Sequence, residues 1–72
     1  MTGAFFMNIV VNGNQHELAG AGTLDQLLKE LEIVPERVAI MVNDRVIPKL
    51  NRKDVALREG DRVEILTFIG GG

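Results

Sequence analysis

Gly60-Asp61-Arg62-Val63-Glu64-Ile65-Leu66-Thr67-Phe68-Ile69-Gly70-Gly71-Gly72 ends the sequence and decides how the rest is read. Arg58-Glu59-Gly60-Asp61 is a tight turn. Val63, Ile65 and Ile69 then share one face, with Thr67 between them, and Arg62 and Glu64 occupy the other. That period of two is the signature of a strand. Leu66 and Phe68 continue the otherwise polar face, as either an exposed docking patch or a satellite of the core. Three glycines after a strand have no side chain to bury and gain nothing from ordering. They are either a frayed end, which is the background expectation for a terminus, or a deliberately thin tail. A thin tail enters a narrow cleft that any Cβ would block, and its reactive group is the terminal carboxylate.

Upstream, Lys49 to Leu57 shows no clear period. Its Lys49, Arg52 and Lys53 form a small basic patch that reads first as a solvated loop. Arg45, Lys49 and Arg52 are weaker candidates for the charged rim of an interface. Arg37 to Asn43 reads as a strand whose near-continuous apolarity suggests a central place in the sheet. Asn43-Asp44 is a turn, and Arg45-Val46-Ile47 a short strand ended by Pro48. Leu24, Leu27, Leu28 and Leu31 have the i, i+3, i+4, i+7 spacing of one apolar helix face. Thr23 is the N-cap, with Gln26 placed to complete a capping box. Asp25 and Lys29 are four apart on the wet side, acidic before basic. This helix spans Thr23 to about Glu32 and stops before Pro35. Ala19-Gly20-Ala21-Gly22 is a flexible connection into it.

The first strand is Phe5 to Asn12. Asn12-Gly13 is a hairpin signal, because both residues tolerate positive φ, and the return strand runs from about Gln15 to Leu18. The order strand, strand, helix, strand, short strand, strand fits a two-layer α+β domain with a mixed sheet of four or five strands and one main helix. The expected core is Ile9, Val11, Leu24, Leu27, Leu28, Leu31, Ile40, Val63 and Ile65.

A chain of 72 residues is one domain with a marginal core. It has no cysteine, hence no disulfide framework and no thiolate metal cluster. A net charge of −2 argues against non-specific nucleic-acid binding. The apolar runs are far short of a membrane span, and Met1 to Met7 lacks the basic stretch of a secretory signal. The lone histidine, His16, has no second metal-ligand candidate near it in sequence and reads as a surface residue. No glycine-rich loop is followed by the lysine of a nucleotide site. The chain therefore reads as a substrate and carrier rather than a catalyst, and it is expected to be cytoplasmic and monomeric when free, with no metal and no stably bound cofactor.

Several segments taken together resemble the ThiS family, the small sulfur carriers of thiamin biosynthesis that share the ubiquitin-like β-grasp fold. They are Met7-Asn8-Ile9 with Val11-Asn12-Gly13, Thr23-Leu24 with Leu27-Leu28, Val42-Asn43 with Val46-Ile47-Pro48, Gly60 to Ile65, and Gly71-Gly72. The likeness runs from Met7 to Gly72. Met1 to Phe6 precede the point where such proteins commonly begin, and Gly70 adds a third glycine. The resemblance implies an N-terminal extension at 1–6, a β-grasp domain at 7–69 and a flexible tail at 70–72. It also implies parallel pairing of the first and last strands at the centre of the sheet. A ThiF-like enzyme would use ATP to adenylate the Gly72 carboxylate, and a persulfide donor would convert it to a thiocarboxylate. Gly70 and Gly71 would thread partner active sites, and Leu66, Phe68 and Ile69 would dock partners. The family gives its sulfur to thiazole synthase. The small subunit of molybdopterin synthase, carriers for amino-acid biosynthesis and ubiquitin-like modifiers follow the same tail logic. A plain interaction module with an inert tail is the alternative outside the class.

Overall fold

The computed structural model describes residues 6–19 and 22–68. Two tight turns set its geometry. Asn12 and Gly13 take φ of 50° and 84°, and Asn43 and Asp44 take 50° and 70°. Paired positive φ values give the turn whose twist matches that of the flanking strands. The first turn joins β1 (Phe6–Val11) to β2 (Asn14–Ala19), and the second joins β3 (Val38–Val42) to β4 (Arg45–Val46). Between the hairpins lie the helix α1 (Leu24–Glu30) and a 3₁₀ turn at Pro35–Arg37. After them come a 3₁₀ segment, Lys49–Asp54, and the last strand, β5 (Arg62–Thr67).

The five strands form one sheet in the order β2-β1-β5-β3-β4. β5 therefore fills the gap between the two hairpins. It runs parallel to β1, with Val10 opposite Arg62 and Val11 opposite Val63. Against β3 it is antiparallel, from Val38 opposite Thr67 to Val42 opposite Val63. The expected mixed α+β architecture and the central parallel pair are both present. Phe6, which the alternation put in the first strand and the resemblance in a leading extension, is the first residue of β1 and pairs with Ala19.

One face of the sheet packs on α1. Leu24, Leu27 and Leu28 close over Ile9, Leu18, Ile40, Val63 and Ile65, all buried. Val38, Val42 and Leu57 complete this core, whereas Leu31 and Val11 are only partly buried at its margin. Within the connection expected to be flexible, Gly20 and Ala21 lie outside the described residues, but Gly22 is constrained. Gly22 is buried, a Cβ there would run into the Leu18 side chain, and its carbonyl accepts the Leu57 amide at 3.0 Å.

The helix begins as its cap predicts, with the Gln26 amide donating to Thr23 Oγ1 at 3.2 Å. The capping box does not close. Gln26 Nε2 donates to the Ala19 carbonyl at 3.0 Å and to Glu30 Oε2 at 3.2 Å. The helix also ends earlier than Pro35 demands. Glu32 turns left-handed at φ 56°, its amide donates to the Lys29 carbonyl at 3.1 Å, and the Ile33 amide donates to the Leu28 carbonyl at 2.9 Å. These are the two reversed hydrogen bonds of a Schellman ending, at a position normally held by glycine. Glu32→Gly should relieve the left-handed strain and raise stability by about 0.5–1 kcal/mol. Urea denaturation should show a higher midpoint with an unchanged slope. A lower midpoint would mean that the side chain contributes more than its backbone strain removes.

Candidate functional site

β5 is the base from which the glycine tail departs, so its anchoring defines the site. Its start is fixed by a turn. Gly60 takes φ 85°, the Asp61 amide donates to the Arg58 carbonyl at 3.0 Å, and Asp61 Oδ2 accepts the Arg58 amide at 2.8 Å. β1 holds this turn, because the Gly60 amide donates to the Asn8 carbonyl at 2.7 Å and the Asn8 amide to Glu59 Oε1 at 2.9 Å. From the β3 side, Asn43 Oδ1 accepts the Arg62 amide at 2.9 Å and Asn43 Nδ2 donates to Asp61 Oδ1 at 2.9 Å.

Toward its other end, β5 keeps bonds on both sides by different means. On the β3 side the ladder reaches the 3₁₀ turn, where the Phe68 amide donates to the Arg37 carbonyl at 2.8 Å. On the β1 side the backbone ladder ends when the Asn12 amide donates to the Val63 carbonyl at 2.9 Å. The Asn12 side chain then takes over. Its Oδ1 accepts the Ile65 amide at 2.7 Å and its Nδ2 donates to the Ile65 carbonyl at 3.1 Å. The sequence reading assigned Asn12 and Asn43 only to turns. Nothing local marks either as a partner of a strand far along the chain.

Leu66 and Phe68 lie on the face away from α1 and are 69% and 59% exposed, so they are not a satellite of the core. Cross-strand pairing sets Ala39 beside Leu66 and Met41 beside Val46. The two apolar positions seen in sequence thus belong to a wider apolar surface that reaches across β3 to exposed Val46. Glu64, opposite Met41, and Arg62, paired with Asp44 at 3.0 Å, give it a polar border. Ile69, Gly70, Gly71 and Gly72 lie outside the described residues.

The basic candidates separate. Arg45 is exposed on β4, and Lys49 stands 4.0 Å from Glu36. Arg52 does not belong to a rim. It is only 5% exposed, with Nη1 donating to the Pro35 carbonyl at 2.6 Å and Nη2 to the Val38 carbonyl at 2.7 Å. Its planar fork ties the 3₁₀ segment to the turn that also receives Phe68, so a presumed surface charge is an internal clamp. A depression of about 300 Å³ beside α1 is lined by Asp25, Pro35, Glu36, Lys49, Leu50 and Lys53. Its charges are mixed, and it shows no preference for an anion. His16 is also less exposed than expected, with Nε2 3.5 Å from Glu30 Oε1. Among the described residues no group of three or more His, Cys, Asp or Glu side chains is placed to hold a metal ion. No helix among them is long and apolar enough to cross a membrane.

Residues 9–72 match the model of the ThiS family. The chain belongs to the ThiS family of sulfur carriers. A sulfur carrier protein ThiS from Thermus thermophilus is 34% identical over 62 residues, covering 86% of this chain and 95% of that protein. The crystal structure of a thiamine biosynthesis protein (ThiS) from Geobacter metallireducens superposes with a TM-score of 0.77 at 33% identity, covering 92% of this chain and 100% of that one. A thiazole synthase from Paramagnetospirillum magneticum is 38% identical over 66 residues, covering 92% of this chain but 20% of that protein. The chain thus spans about a fifth of the length of the first relatives it matches. Within this ThiS family domain the ubiquitin-like β-grasp supplies the scaffold, and the candidate site is the tail-bearing end of β5 with the apolar surface beside it.

Arg52→Lys tests the clamp. An ammonium cannot reach two carbonyls in the geometry of a guanidinium fork, so one buried acceptor loses its partner. The expected loss is about 1–3 kcal/mol in chemical denaturation, with faster hydrogen exchange at the Phe68 amide. Unchanged stability would return Arg52 to the surface.

Proposed function

We propose that this chain carries sulfur for thiazole formation in thiamin biosynthesis, as a thiocarboxylate on Gly72. The observation that supports this most is the conjunction at β5. A central strand held on both edges leads, beside exposed Leu66 and Phe68, into three residues with no side chains. A rigid base aims the tail, and the glycines let it enter sites that a Cβ would obstruct.

A carboxylate is a poor electrophile, so activation comes first. A ThiF-like enzyme binds the ATP. A Gly72 carboxylate oxygen attacks the α-phosphorus, pyrophosphate leaves, and the acyl adenylate forms. The terminal sulfur of a cysteine-derived persulfide then attacks the acyl carbon and displaces AMP. A thiol reductant cleaves the resulting S–S bond and leaves the sulfur on Gly72. Thiazole synthase is the acceptor, a reading supported by relatives described as thiazole synthases that contain a match to this domain. In this scheme the chain holds no cofactor of its own and works in the cytoplasm. Leu66, Phe68 and Ile69 dock the partners, while Gly70 and Gly71 thread their active sites.

Intact-mass analysis after incubation with a ThiF-like enzyme, ATP and a sulfur source should show one oxygen replaced by sulfur. That added mass should disappear as thiazole forms with thiazole synthase. Deleting Gly72 should leave the melting curve in place and lower adenylation by about a hundredfold, because the reactive carbon no longer reaches the α-phosphate. A parent chain that an active cognate enzyme leaves unmodified would end the sulfur-carrier reading.

Phe68→Ala should weaken partner binding by about 1–2 kcal/mol in a titration while the fold persists. Unchanged affinity for both partners would remove Phe68 from the interface.

A further inference from the structure

The bonding of β5 changes character at Ile65. A regular parallel ladder would place its next rung between Ile65 and two groups of the β1 segment, the Asn12 carbonyl and the amide of residue 14. Neither serves. The chain has already turned at Asn12-Gly13, and Asn14 is on β2, opposite Val11. The Asn12 carboxamide fills the missing rung with the same polarity. Its oxygen takes the Ile65 amide at 2.7 Å and its nitrogen reaches the Ile65 carbonyl at 3.1 Å. One side chain thus extends the two-sided part of the central strand from Val63 to Ile65.

We propose that Asn12 is a positioning residue for the tail chemistry. Through Ile65 it holds the end of β5 from which the tail chemistry is presented. The proposal rests on the sulfur-carrier reading. Without this rung β5 would be held beyond Val63 by β3 and Arg37 alone, and a strand bonded along one edge is freer to twist about that edge. The tail would then spend less time where its carboxylate meets a nucleotide phosphate. Orientation of this kind acts on the rate within the complex. The docking surface of Leu66 and Phe68 faces away from Asn12's hydrogen bonds and would remain available.

The fold supplies its own control. Asn43 occupies the same place in the other turn, at the same φ of 50°, and its carboxamide oxygen also accepts a β5 amide. It grips Arg62, at the far end of the strand from the tail. Glycine is compatible with positive φ at either position, so Asn12→Gly and Asn43→Gly each keep the turn and remove the carboxamide. The two variants should lose similar stability by thermal melting. Asn12→Gly alone should speed exchange at the Ile65 amide and lower kcat for adenylation by a ThiF-like enzyme about tenfold. KM should change by less than about threefold, since docking is kept. Asn12→Asp keeps the acceptor for the Ile65 amide but loses the donor. It should fall between parent and glycine variant, and it carries the test if Asn12→Gly does not fold. Equal kcat losses in Asn12→Gly and Asn43→Gly would overturn the proposal, as would an Asn12→Gly protein with parental kcat. A parent that is not adenylated at all removes the carrier reading and the proposal together. An active parent with an unaffected Asn12 variant removes the proposal alone.

Discussion

A central strand must satisfy its peptide groups on both edges, and in this domain that requirement governs the whole arrangement. β5 sits between two hairpins that do not otherwise bond to one another. Its backbone groups on one side meet β1 and on the other β3. Where a neighbour runs out, a side chain or a turn carbonyl takes its place. Asn12 does so at Ile65, Asn43 at Arg62 and the Arg37 carbonyl at Phe68. A small domain buries little apolar area, and an unpaired buried peptide group costs about as much as a core methyl or two. The hydrogen-bonded closure of β5 is therefore as important to this fold as the leucines of α1.

The same strand divides the molecule chemically. Val63 and Ile65 point into the core, while Leu66 and Phe68 face solvent beside the tail. Arg52 shows that the division does not follow residue type. A buried arginine whose two terminal nitrogens donate to the Pro35 and Val38 carbonyls, with Nε left unpaired, fixes the backbone that receives Phe68. Charge is used internally here as a hydrogen-bond fork, and apolar surface is left exposed on the outer face of the sheet.

The features carried by local pattern were legible. The spacing of Leu24, Leu27 and Leu28, the Thr23 cap, both positive-φ turns and the alternation of β5 all follow from neighbours a few residues apart. The run Gly70 to Gly72 is read from the sequence alone and lies outside the described residues. What escaped had its cause elsewhere in the chain. Leu57 lies in a stretch without period and is buried in the core. Arg52 looked solvated because arginine usually is. The helix end near Glu32 was expected, but from Pro35, since a glutamate gives no sign of the left-handed turn that ends it. Asn12 was already accounted for by its turn, so nothing prompted a search for its second role 53 residues away. The exposed apolar surface was half visible, because Leu66 and Phe68 broke a polar face, whereas Val46 joined them only through strand pairing.

The strand at the middle of the sheet is also the last of its strands in chain order. During synthesis the two hairpins and the helix emerge while the place between them is still vacant. Neither hairpin is stable on its own, and closing the sheet links segments at opposite ends of the sequence, a pairing that is slow to nucleate. A nascent chain that stops before Arg62 therefore has two half-sheets and an open core, and it is left to the cell's triage of unfolded protein. Folding competence and possession of the tail-bearing strand arrive together, so the topology itself restricts which chains survive to meet a partner.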